Sequence, residues 1–142
     1  MRRVFRWHNI PHYYGDYVRT LFVVTAALGA VAVPLVGDLL QFGLFLQVLG
    51  ILLLVLLAGL THPHGRLVLV YDTVVSGLGM LLLEYAAVSL FNPMAPLLFA
   101  AREAAALLLL VAFYYSVKTI RAMTTHQVGQ AGVPGEFDDM RG

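Results

Sequence analysis

Apolar residues fill this chain in four long runs, Tyr17–Val36, Leu39–Leu60, Leu67–Phe91 and Leu97–Met123, separated by short turns. A helix rises about 1.5 Å per residue, so about 20 mostly apolar residues cross a hydrocarbon layer roughly 30 Å thick. Each run reaches that length. The pattern predicts an all-α integral membrane protein with four transmembrane helices in an up-down bundle. Residues 17–123 then form the transmembrane domain. Residues 1–16 form a cytoplasmic interfacial segment, and residues 124–142 form a cytoplasmic tail expected to be disordered.

Composition sharpens this reading. The 142 residues are 60% hydrophobic and 12% charged, with a mean hydropathy of +0.81. Soluble domains carry about 25% charged residues, so an ordinary soluble fold is excluded. With no cysteine, disulfides, thiolate metal sites and Cys nucleophiles are excluded as well. The tail holds Gly129, Gly132, Pro134, Gly135, Glu136, Asp138 and Asp139, a composition that cannot bury a core.

Net charge is only +1, yet the basic residues are placed asymmetrically. Arg2, Arg3, Arg6 and Arg19 precede or open the first run, Arg66 lies between the second and third, and Lys118 and Arg121 close the fourth. The turns at Gly37–Asp38 and Asn92–Pro96 contain neither Lys nor Arg. Cytoplasmic flanks attract Lys and Arg, so both termini and the Thr61–Arg66 turn are expected inside, at a cell (inner or plasma) membrane. Arg2-Arg3-Val4-Phe5 resembles a twin-arginine signal and Ala30-Val31-Ala32 a cleavage site. Cleavage there would leave three spans and an external N-terminus, so an intact first span is preferred. Near the N-terminus, Arg2, Arg3 and Arg6 alternate with Phe5, Trp7, Tyr13 and Tyr14. Beside a span, this mixture reads as an anchor at the lipid headgroups rather than a nucleic-acid surface.

Within the runs, polar residues are few. The first run contains small residues from Ala26 to Ala32, suited to close helix contact. Asp38 and Gln41 match a capping box at the start of the second run, and Gln47 lies deep enough to need a partner on another helix. On a helical wheel of the third run, Asp72, Thr73, Ser76, Gly77, Gly79, Met80, Glu84 and Ala87 occupy one arc of roughly 160°. The opposite face is lipid-like. Folding runs three and four about the Asn92–Pro96 turn brings Glu84 level with Arg102 and Glu103. It brings Asp72 level with Tyr114, Tyr115 and Lys118. Charge at the centre of a span costs at least about 2.5 kcal/mol per group, which makes Glu84, Arg102, Glu103 and Asp72 the candidate intramembrane cluster. A Glu84–Arg102 ion pair is expected to fix the hairpin, and Asp72 is expected to pair with Lys118 or accept from Tyr115.

His8, His12, His62 and His64 all fall on the cytoplasmic side and form a weaker candidate for zinc or nickel, with no carboxylate or Cys completing a ligand spacing. No cofactor is expected. No base–nucleophile pair can be named, so no enzymatic role is expected. The chain therefore reads as a non-enzymatic membrane subunit, held in the lipid bilayer and assembling with a second copy or a membrane partner through small-residue faces. The alternative is a small oligomeric transporter or channel moving protons or cations along Glu84, Arg102, Glu103 and Asp72.

Overall fold

A computed structural model describes residues 13–35, 41–61 and 65–126. The chain is all-helical, with α1 at Gly15–Ala32, α2 at Gln41–Leu60, α3 at Arg66–Ser89 and α4 at Pro96–Thr124. The expectations for the basic–aromatic residues 1–12, for the Asp38 cap, for His8, His12, His62 and His64, and for the tail from residue 127 lie outside the described residues.

Local chemistry sets the helix ends. Pro34 offers no N–H, so the backbone tightens after Ala32 into a 3-10 turn at Val33–Leu35. Thr61 closes α2 by turning both its backbone N–H and its hydroxyl back to the Leu57 carbonyl. Between α3 and α4, the Asn92 carboxamide oxygen accepts from Met94 N–H at 2.9 Å and the Asn92 carbonyl accepts from Ala95 N–H at 3.0 Å. Pro96 then opens α4, where a missing N–H is harmless and a fixed φ suits the first turn.

Packing centres on α1. Val18, Phe22 and Ala26 of α1 meet Leu54, Leu57 and Ala58 of α2 on one side and Leu109 and Ala112 of α4 on the other. The broadest interface joins α3 to α4, whereas α2 and α3 touch only sparingly. At the α3–α4 interface, small residues allow close approach. A Cβ placed on Gly79 would lie 2.8 Å from Leu109 Cδ1, and one on Gly77 would lie 3.2 Å from the Phe113 ring.

Outside this core the surface is apolar on every helix, with Val31, Leu56, Leu82 and Leu107 all exposed. Contiguous apolar surface on this scale marks contact with lipid or with another protein. Three helices, α1, α3 and α4, are long and apolar enough to cross a membrane, and the described apolar stretch of α2, Leu44–Leu60, is shorter. The fold is that of a helical protein compatible with a small membrane protein.

Candidate functional site

The candidate charged residues inside the helices fall at two separate places. One lies where α2 ends and α3 begins. Asp72, a little under two turns into α3, is fully buried, and its Oδ2 accepts from Thr61 Oγ1 at 2.9 Å. Thr61, Ser76, Ser116 and Thr119 are buried with it. Ser76 donates to the Asp72 carbonyl, Ser116 to Ala112 and Thr119 to Tyr115, so these hydroxyls are satisfied on their own helices. Such back-bonding lets a hydroxyl sit in an apolar interior without a partner helix.

Tyr13 joins this region from the residue pair preceding α1. Its ring lies over Gly15, where a side chain of any size would collide with it. Burial pushes its phenol above the ordinary value, the negative charges of Asp16 and Asp72 add to the effect, and Arg19 opposes it. Tyr13 Oη and Asp72 Oδ1 are the buried side-chain polar atoms without a hydrogen-bond partner among the described residues. Asp72 meets neither Lys118 nor Tyr115, contrary to the expectation from the α3–α4 register. Register fixes depth along the axis but not direction around it, and Thr61 occupies the side to which Asp72 points.

The second place is near the opposite ends of α3 and α4. Glu84, Arg102 and Glu103 are partly buried there. The expected Glu84–Arg102 ion pair does not form. Arg102 Nη1 instead donates to the Ala86 carbonyl at 3.5 Å, a long bond. That carbonyl also accepts the Leu90 N–H that ends α3, so Arg102 supplies a cation to the negative end of the helix. Glu84 and Asp72, twelve positions apart, are separated by about 18 Å of helix rise. Gly77 and Gly79, packed on Phe113 and Leu109, close the α3–α4 interface between them.

An aromatic group at the Asp72 end escaped the sequence reading. Tyr14 and Tyr17 of the α1 entry stack on Tyr115 with ring centroids 5.7 and 5.3 Å apart, and Tyr114 meets Tyr115 edge-on at 5.4 Å. Lys118 Nζ sits 4.4 Å from the Tyr14 ring centre, a cation–π contact. The Tyr14 N–H donates to Thr119 Oγ1 at 3.2 Å, tying the start of α1 to the end of α4. Pairing Tyr13, Tyr14 and Tyr17 with Tyr114 and Tyr115 across an antiparallel α1–α4 contact was the signal that could have found it. A groove of about 310 Å³ beside these rings is lined by Tyr13, Asp16, Tyr17, Thr20 and Tyr115, among others.

Among the described residues, no three His, Cys, Asp or Glu side chains come together to hold a metal ion. Neither a family model, nor a curated protein, nor a solved structure matches this chain.

Proposed function

We propose that this chain is a non-enzymatic membrane subunit whose outer α3–α4 surface is covered by another transmembrane protein, in the first instance a second copy. The observation that carries this reading is the position of its mid-helix carboxylates. Glu84 is flanked one turn away on either side by exposed Leu81 and Val88, and Glu103 by exposed Ala100 and Leu107. Both carboxylates therefore border a lipid-like face. Lipid supplies no hydrogen bonds, and a charged group there is costly, so a covering helix is the stable arrangement.

The same reading makes α2, with 20 residues and about 30 Å of rise, the fourth span of an up-down bundle. Contacts between Tyr14 and Thr119 and between Thr61 and Asp72 support it, because the start of α1, the ends of α2 and α4 and the start of α3 share one end. Arg19, Arg66, Lys118 and Arg121 lie toward that end, which favours placing it and both termini in the cytoplasm of a cell membrane. Transport along a continuous Asp72-to-Glu84 path is the weaker reading, because tight packing at Gly77 and Gly79 lies between these groups.

Native mass spectrometry in lipid nanodiscs tests the assembly. The chain is expected as a defined oligomer, and Ala100→Trp, which places a bulky ring beside Glu103, is expected to shift it to monomer. A strict monomer at every concentration would overturn self-assembly.

A further inference from the structure

Thr61 faces an imbalance of hydrogen-bond donors. Its Oγ1 lies 2.7 Å from the Leu57 carbonyl and 2.9 Å from Asp72 Oδ2. A threonine hydroxyl has one hydrogen, and both of these neighbours are acceptors when the carboxyl is ionised. One hydrogen cannot make two strong bonds. The conflict disappears if the carboxyl carries the hydrogen: Thr61 then donates to Leu57 and accepts from Asp72.

The surroundings agree. Asp72 is fully buried, and among the described residues no Lys or Arg pairs with it. The segment before α1 presents Tyr13, and α1 places Asp16 and Arg19 near its phenol. From α2 comes Thr61. At this end α4 carries Tyr115, stacked on Tyr14 and Tyr17, and Lys118, held against the Tyr14 ring. A buried carboxylate with one hydroxyl shared between two acceptors, and no Lys or Arg beside it among the described residues, is a poor home for full charge.

We propose that Asp72 is a proton-binding carboxyl that donates from Oδ2 to Thr61 Oγ1 and so latches the end of α2 to α3. Because α2 and α3 otherwise meet sparingly, this bond is well placed to govern their separation. When the proton leaves to water, Thr61 keeps a single hydrogen for Leu57 and a charged Asp72. One of the two bonds is lost and the charge draws water into the junction, parting the helices. The site is then a proton-sensitive joint between α2 and α3. It does not depend on self-assembly and is tested separately from it.

Infrared difference spectroscopy on the full chain in nanodiscs, with aspartate labelled by carbon-13, reads the site directly. A protonated aspartate carbonyl band is expected at neutral pH, absent in Asp72→Asn and displaced but retained in Thr61→Val. Spin labels at Leu60→Cys and Tyr71→Cys, in a chain with no native cysteine, are expected to move apart as that band titrates away at higher pH. The absence of any Asp72-dependent band from acid to alkaline pH would overturn proton binding. A band that appears only after sodium is removed would replace the proton by a metal cation and equally overturn it. A titrating band with an unchanged label distance would overturn the latch.

Discussion

Gln47 Nε2 donates to the Gly29 carbonyl at 2.9 Å, joining α2 to α1 through an oxygen that a proline two helical positions from the end of α1 has left free. Pro34 cannot donate to Ala30, so the Val33 N–H turns to the Ala30 carbonyl instead of Gly29. Gln47 fills the gap. Gln47→Leu is therefore expected to destabilise the fold by about 1 kcal/mol, within the range of interhelical hydrogen bonds in membranes. In a Pro34→Ala background, where Val33 can return to Gly29, the same change is expected to cost less than half as much. Reversible unfolding in mixed detergent measures both. Equal costs in the two backgrounds would break the link between Pro34 and Gln47.

Glycines of this chain divide by what surrounds them. A Cβ on Gly50 meets nothing within 4 Å, while one on Gly79 approaches Leu109 Cδ1 at 2.8 Å. Gly50→Ala is expected to leave stability unchanged or raise it by up to about 1 kcal/mol through helix propensity. Gly79→Val is expected to cost about 1–3 kcal/mol by overpacking α3 against α4. Gly79→Ala falls between, because the Leu109 methyl is the far end of a flexible side chain. Thermal unfolding of the three variants ranks them, and an equal effect of Gly50→Ala and Gly79→Val would contradict the packing.

Arg102 bonds a backbone carbonyl, and this alters what a double substitution should do. Were Arg102 and Glu84 an ion pair, Glu84→Gln would rescue much of the loss caused by Arg102→Gln. With Arg102 on the Ala86 carbonyl, the two effects are expected to add to within about 0.5 kcal/mol. A double-mutant cycle on unfolding free energy decides it. An interaction well above that margin would restore the ion pair.

Much of the architecture could be read from hydropathy, because a run of some twenty apolar residues has few alternatives to a buried or lipid-facing helix. Gln47 announced its need for a partner by its depth, although the partner was a backbone carbonyl exposed by Pro34, a relation visible only once helix ends are followed bond by bond. For Asp72 the α3–α4 register pointed to Lys118 and Tyr115, which are not its neighbours in hydrogen bonding. Its partner Thr61 follows immediately after α2, in what the hydropathy pattern marks as a turn, and that pattern carries no sign of an α2–α3 contact. Arg102 and Glu84 share a depth, yet depth alone does not bring side chains into contact. The tyrosine group was missed because its members lie at opposite ends of the described chain.

Tyr13 gives the fold a dependence on alkaline pH. Burial, followed by the charges of Asp16 and Asp72, holds its phenol above the ordinary value, so the folded state keeps this proton more tightly than the unfolded state. The contribution of the neutral phenol is complete below about pH 10, the ordinary tyrosine value, and is lost as pH rises above it. Stability is expected to fall over that range by at most about 1.4 kcal/mol per pH unit from this single group. Tyr13→Phe keeps the ring over Gly15 and removes the ionisable hydroxyl, and is expected to flatten the decline. Unfolding free energy measured between about pH 9 and pH 11 compares the two chains across the tyrosine range. If Tyr13→Phe declines as steeply as the parent, the alkaline sensitivity belongs to another group and the buried phenol does not control it.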